Sequence, residues 1–251
     1  MHHHHRRTFS AAFTTAALIT GIAACGSSSS HTHAASQPAS PKPTVSKDPL
    51  ASLSGQQVIK KALTDTESAH SVHLVVTTTD ADQLGYDVMV VPGEGCRGTV
   101  SEGEKGSFKL IELNKQVYLL PDKTFWEQNG GSDPAALKIL SGKWLAVTFG
   151  KSDMADMAKM CSLNALLGTL ASAPADIPKS SATVNGQRVV RFSDTGDAGY
   201  IDVSDTATPE LVTAEASGQG NGLMHFSDYN APVTLSPPPA SQTLDGSKYG
   251  F

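Results

Sequence analysis

The sequence predicts an α+β fold: a curved antiparallel β-sheet, a half-barrel, with helices packed on one face. Three observations point there. A capped amphipathic helix opens the globular part at Ser54. From Val72 onward, runs of β-branched residues with a period of two follow one another, separated by turn residues. No internal repeat and no linker-like break divides residues 54–236, so these runs belong to one body.

The helix is justified first. Ser54-Gly55-Gln56-Gln57 fits a capping box, with serine at the N-cap and glutamine three residues on. Val58, Ile59, Ala62, Leu63, Thr66 and Ala69 then recur at helical spacing, with Lys60, Lys61, Asp65 and Glu67 between them. This predicts a helix over 55–69 with one buried face.

The strands follow. Val72, Leu74, Val76 and Thr78 alternate with His73, Val75, Thr77 and Thr79. Residues 86–91 and 96–102 read as the next two strands. Residues 108–113 and 116–120 flank Asn114-Lys115 and read as a hairpin. A mixed segment surrounds Phe125-Trp126, a short helix lies over 134–140, and an apolar run follows over 143–147. A second long helix is predicted from Ser152, with Asp153 and Asp156 near its positive end and Met154, Met157, Ala158, Cys161, Leu166, Leu167 and Leu170 at spacings near 3 and 4. The last third reads as a meander: 182–184, a type I′ turn at Asn185-Gly186, then 187–192, 199–203, 211–217 and 223–228. The chain exits through Val233-Thr234-Leu235 and three prolines. The domain is placed at 50–238, with 239–251 as a flexible C-terminal tail.

The first 49 residues read as address and tether. Arg6 and Arg7 precede an uncharged stretch over 9–24. It is short for a membrane span, which needs roughly 20 apolar residues, but suits the hydrophobic region of a signal peptide. It ends Ile22-Ala23-Ala24-Cys25, which resembles a bacterial lipobox. In that motif the cysteine thiol is diacylglycerated and the chain is cut before it. Residues 1–24 are therefore read as a lipoprotein signal peptide and Cys25 as the lipidation site. Arg6-Arg7-Thr8-Phe9 partly resembles a twin-arginine export signal. Residues 25–49 are rich in Ser, Pro and Ala and read as a disordered tether. The expected location is the extracytoplasmic face of the bacterial cell membrane, with two or three acyl chains giving durable anchoring.

Charge and cysteine usage narrow the classes. The 251 residues carry a net charge of −5, and removal of residues 1–24 with their two arginines makes it −7. No basic block is present, so nucleic acid is not an expected partner. The three cysteines are too few for a disulfide scaffold and lack zinc-site spacing. With Cys25 acylated, Cys96 and Cys161 remain, and export makes a disulfide between them the default. The loop it closes is long enough to contribute roughly 4 kcal/mol in the chain-entropy view.

Catalytic patterns are missing from the sequence. It contains no G-x-S-x-G elbow, phosphate-binding loop, dinucleotide fingerprint, H-E-x-x-H or EF-hand. Gly218-Gln219-Gly220-Asn221-Gly222 lies between two predicted strands and reads as a turn, since a phosphate cradle needs a helix after it. His70 and His73 straddle a helix-to-strand junction, His225 stands apart, and Asp80, Asp82, Asp194 and Asp197 sit in turn-like contexts. No enzyme activity, cofactor or metal is expected.

A family resemblance adds to this reading. Its carriers are the lipobox at Cys25 and the helix end Glu67-Ser68-Ala69-His70-Ser71-Val72-His73-Leu74. The third is a C-terminal run that includes Tyr200-Ile201-Asp202-Val203, Pro209-Glu210-Leu211-Val212, Met224-His225-Phe226-Ser227-Asp228-Tyr229-Asn230 and Pro232-Val233-Thr234-Leu235. In these the chain resembles the actinobacterial envelope lipoproteins of the mycobacterial LppX/LprG group, which are distantly similar in fold to LolA-type lipoprotein carriers. The resemblance implies a half-barrel whose concave face and overlying helices form an apolar cavity for acyl chains of lipids or glycolipids. Such a pocket stabilises a bound chain by about 0.8 kcal/mol per buried methylene. The candidate wall residues are Val88, Val90, Leu110, Leu119, Trp144, Met157 and Leu166. The expected protein is a monomeric, membrane-tethered lipid or glycolipid carrier. The other reading is a non-catalytic envelope module for protein or cell-wall interaction, or for surface sensing.

Overall fold

The computed structural model describes residues 48–79, 83–129, 134–148, 161–168, 170, 177–193, 199–216 and 222–249. Residues 46–251 form one compact unit. Helix α1 spans Gly55–Glu67, and its capping box is complete. Gln57 N–H donates to Ser54 Oγ at 3.3 Å, and Ser54 N–H donates to Gln57 Oε1 at 2.8 Å. Two donors that the helix start would leave unpaired are thereby satisfied. The helix buries Val58, Ile59, Ala62 and Thr66 along one face.

The sheet follows in two meanders. The first holds β1 (Val72–Thr78), β2 (Leu84–Val91), β3 (Gly95–Glu102), β4 (Ser107–Leu113), β5 (Gln116–Pro121) and β6 (Trp144–Thr148). The second holds β7 (Lys179–Val184), β8 (Gln187–Ser193), β9 (Gly199–Ser204), β10 (Leu211–Ala216) and β11 (Gly222–Ser227). β11 pairs antiparallel with β1 and fuses the two halves. With β12 (Thr243–Asp245) at the far edge, the result is a single 12-stranded sheet in the order β12-β6-β5-β4-β3-β2-β1-β11-β10-β9-β8-β7. It is curved and unclosed, and among the described strands every pair is antiparallel except β12–β6. The predicted fold class and the structure agree.

Turn chemistry sets the register. Asn185 and Gly186 take φ of 49° and 82°, as the type I′ hairpin requires. Asn114 and Lys115 take φ of 53° and 64°, so the β4–β5 turn belongs to the same class without a glycine. Gly98 meets a tighter demand: a Cβ there would lie 2.1 Å from the Asp87 carbonyl oxygen, so only glycine lets β3 approach β2 at that point.

Between β5 and β6 lie α2 (Lys123–Asn129) and α3 (Pro134–Leu140). Asp122 starts α2, accepting from Phe125 N–H at 2.7 Å and from Ser107 N–H and Oγ at 3.0 and 2.8 Å. A fourth helix, α4, covers Leu163–Gly168. The helix start expected at Ser152 lies outside the described residues.

One expectation is corrected. The sequence predicts a flexible tail over 239–251, but 240–249 form a 3-10 turn, strand β12 and a second 3-10 turn. Leu244 pairs with Leu145 and packs with Trp126 and Leu140 in a small apolar cluster. The reach is possible because 228–242 passes from β11 at one side of the first meander to β12 at the other. It is pinned on the way. Asn230 N–H donates to Ser71 O at 2.9 Å, Ser71 Oγ donates to Ala231 O at 2.7 Å, and Arg97 Nη1 donates to Thr234 O at 3.4 Å. The prolines in this stretch give up ladder donors that an unpaired connection does not use.

Candidate functional site

Strand alternation gives the sheet two unlike faces. On one face Val72, Leu74 and Val76 of β1 line up with Val88 and Val90 of β2, Cys96 and Val100 of β3, Phe108 and Leu110 of β4, and Val117 and Leu119 of β5. Val190, Phe192, Val203, Leu211, Ala214 and Phe226 extend the same apolar layer across the second meander. The helices cover it, with Val58, Ile59 and Ala62 from α1 and Leu163 and Leu167 from α4. Gly55 sits against Phe192, so the start of α1 lies over the second meander.

A disulfide joins Cys96 to Cys161, with Cα atoms 5.2 Å apart. It ties β3 to the chain just ahead of α4. Near the C-terminal end of α1 a closed polar ring does similar work. Leu211 N–H donates to Thr66 Oγ1 at 3.1 Å, Thr66 and Tyr229 hydroxyls lie 3.3 Å apart, and Tyr229 Oη donates to Leu211 O at 2.7 Å. The ring satisfies both backbone groups of Leu211, where the β9–β10 register shifts. Burial pushes the Tyr229 phenol up, so it remains a neutral donor. Desolvation, with Asp65 nearby, also raises the Glu210 carboxyl above its ordinary value.

A cleft of about 580 Å³ runs along α1, lined among the described residues by Gln56, Gln57, Ile59, Lys60, Leu63, Thr64 and Glu67, all of that one helix. Ile59 belongs both to the core and to this cleft.

The predicted wall residues divide. Val88, Val90, Leu110 and Leu119 sit on the helix-covered face at 1%, 0%, 1% and 5% exposure, as members of the packed core, which corrects the expectation that they line an open apolar cavity. Leu166 packs half-buried against the same core. Trp144 does not join them. Leu145 and Val147 take the inward positions of β6, which turns Trp144 to the opposite face. There it lines a second cleft, of about 460 Å³, with His73, Asp87, Arg97 and Lys109. Met157 and Cys25 lie outside the described residues. Among the described residues no group of three or more His, Cys, Asp or Glu could hold a metal ion. No helix among them is long and apolar enough to cross a membrane.

An open, curved, mostly antiparallel sheet with helices on one face is a distinctive arrangement. Superposition finds it in LprF from Mycobacterium bovis, with a TM-score of 0.51 and 18% identity, over 73% of this chain and 96% of that one. The fold is that of LprF. Lipoprotein LppX from Mycobacterium tuberculosis aligns with a TM-score of 0.46 and 14% identity, over 72% and 97% of the two chains. An uncharacterized conserved protein from Thermus thermophilus aligns at 0.35 and 10%, over 76% and 98%. No protein-family profile and no curated protein matches the sequence. The likeness to LprF is therefore one of architecture. It spans nearly all of LprF.

The cleft around His73 was not legible as a site. Its residues come from β1 to β4, β6 and the end of β11, and no strand contributes more than three of them.

Proposed function

We propose that the protein is a non-catalytic, extracytoplasmic lipoprotein that carries acyl chains of a lipid or glycolipid between its sheet and its helical layer, anchored through acylated Cys25. The observation that carries this reading is the continuous apolar layer between the open sheet and helices α1 and α4, whose edge residues Ile59 and Leu63 also line the cleft along α1. The LprF fold and the lipobox support it. An acyl chain needs no charged partner. Each methylene moved from water into such a layer contributes about 0.8 kcal/mol, so a chain is held by length rather than by a specific contact. Covalent acylation at Cys25 would hold the domain beside the bilayer that supplies its cargo.

The side chains Val88, Val90 and Leu119 are packed, so uptake on this reading works by parting the helical layer from the sheet at the α1 cleft. A pyrene-labelled fatty acid titrated into delipidated full-length protein in a mild detergent tests this. The account expects saturable binding that unlabelled lipid displaces, weakened about tenfold by Leu63→Lys at the cleft mouth. Partitioning that never saturates, or a Leu63→Lys variant that binds like the parent, would instead favour a packed envelope interaction module.

A further inference from the structure

The sheet face opposite the core carries a cleft that the acyl-chain reading does not use. Two rows of side chains cross it. One runs Tyr118, Ile111, Arg97, Met89 and His73 through directly paired positions, and the other runs Leu120, Lys109, Thr99 and Asp87. Trp144 on β6 and Asp228 beyond β11 close the two ends of the cleft. Arg97 and Lys109 are diagonal neighbours across β3 and β4, so their Cα atoms stand about 7–8 Å apart on one face.

The charges in this cleft are separated. At one end His73 Nε2 lies 2.8 Å from Asp87 Oδ1, and His73 Nδ1 lies 3.3 Å from Asp228 Oδ2. Ser227 Oγ lies 3.3 Å from the same Nδ1. The imidazole stands between two exposed carboxylates, one near each ring nitrogen. In the middle stand two cations. Arg97 gives one N–H to Thr234 O. Among the described residues neither Arg97 nor Lys109 has a carboxylate partner. The guanidinium keeps donors whose planar fork can pair with two oxygens of a phosphate. On the far side of the cations Trp144 offers a half-buried ring. The cleft has a volume of about 460 Å³, in the range of small-ligand sites, and is a broad depression open to solvent.

We propose that this outer-face cleft binds a phosphorylated sugar. The phosphate sits between Arg97 and Lys109, and an apolar ring face packs on Trp144. The carboxylates of Asp87 and Asp228 accept hydrogen bonds from hydroxyls of the polyol on the other side. A neutral sugar lacks the charge the two cations call for. Inorganic phosphate lacks the ring and the hydroxyls. An acidic polymer without hydroxyls meets repulsion at Asp87 and Asp228. The phosphorylated sugar can be soluble or the headgroup of a lipid, and this site recognises what they share. It lies on the opposite face from the acyl-chain layer, so either reading can fail without the other.

The chain has two tryptophans, and Trp126 is buried. Full-length protein carrying Trp126→Phe therefore reports on Trp144 alone. Glucose 1-phosphate is titrated into it, with glucose and inorganic phosphate as controls, and affinity is checked in the parent protein by calorimetry. The expected result is a saturable change in Trp144 emission with glucose 1-phosphate, an affinity at least tenfold above either control, and weakening by added salt. Arg97→Gln with Lys109→Gln should lower that affinity about tenfold or more, and Lys109→Glu alone should do the same while leaving the unfolding midpoint unchanged. Equal binding of glucose, no binding of glucose 1-phosphate, or undiminished affinity in both charge variants overturns the proposal.

Discussion

Cys96 and Cys161 are bonded across 65 positions of sequence, and the bond fastens β3 to the start of the α4 segment. β3 lies within the apolar layer, and α4 is part of what covers it. The bond therefore holds cover to sheet independently of the hydrophobic contacts between them.

Closing a loop of that length restricts the unfolded chain and contributes roughly 4 kcal/mol in the entropic account. Cys96→Ser with Cys161→Ser is expected to lower stability by about 2–4 kcal/mol. Denaturant unfolding of oxidised, reduced and double-variant protein checks it. Equal midpoints for all three would show that the bond does not constrain the fold.

Asp202 is fully buried, and Arg191 holds it through two parallel bonds of 2.7 Å while lying over the Tyr200 ring at 4.0 Å. Removing the guanidinium strands a carboxylate out of water. Arg191→Met is expected to cost about 3–5 kcal/mol, and Arg191→Met with Asp202→Leu to recover most of it. A double-mutant cycle by chemical unfolding measures the coupling. Additive losses would mean that the pair acts only as two separate packing groups.

Thr66 and Tyr229 should couple in the same way. Each removes two of the three links of the ring around Leu211 and they share the Thr66–Tyr229 link, so Thr66→Val and Tyr229→Phe are each expected to cost about 1–2 kcal/mol. The double variant should cost less than the sum, because the second loss falls on a ring already open.

Glu210 gives a pH dependence whose sign is fixed by its environment. Its folded carboxyl is raised by desolvation first and by Asp65 second, so the folded state favours the protonated form. The stability this provides is present below the ordinary carboxylate value and is lost as pH rises through the folded one. Glu210→Gln should therefore raise the unfolding midpoint at neutral pH and lose that advantage in acid. A variant equally stabilised at both ends of the range would assign the effect to packing instead.

Cys25 makes a chemical prediction. The mature chain isolated from membranes should begin at Cys25 and carry diacylglycerol on its thiol. Cys25→Ala should accumulate at precursor mass. Intact-protein mass spectrometry decides it, and a mature chain with an unmodified Cys25 would remove the anchor from the account.

Much of the fold was legible because its signals are local. The capping box at Ser54 and Gln57 and the Asn185-Gly186 turn each act within a few residues. Helix α2 was not, since seven residues starting at Lys123 are too short to set a 3.6 period, and the decisive feature is the Asp122 carboxylate reaching Phe125 and Ser107. β12 was hidden because three residues after a proline run carry no pattern, and pairing with β6 is what makes them a strand. Trp144 shows a different limit. Every residue of Trp144-Leu145-Ala146-Val147 is apolar, so alternation could not say which pair faces inward. Packing against Trp126, Leu140 and Leu244 decides for Leu145. The cleft itself is a product of topology: Asp87 and Asp228 meet at His73 only because β11 returns to pair with β1.

The central claim is that the domain carries acyl chains, and lipid extraction tests it most directly. Full-length protein is purified from an actinobacterial envelope and extracted under denaturing organic conditions, which leave any covalent acyl groups on the protein. Mass spectrometry of the extract should find one lipid class in fixed proportion to protein, absent from a lipoprotein of unrelated fold treated identically. An extract indistinguishable from that control would contradict the account.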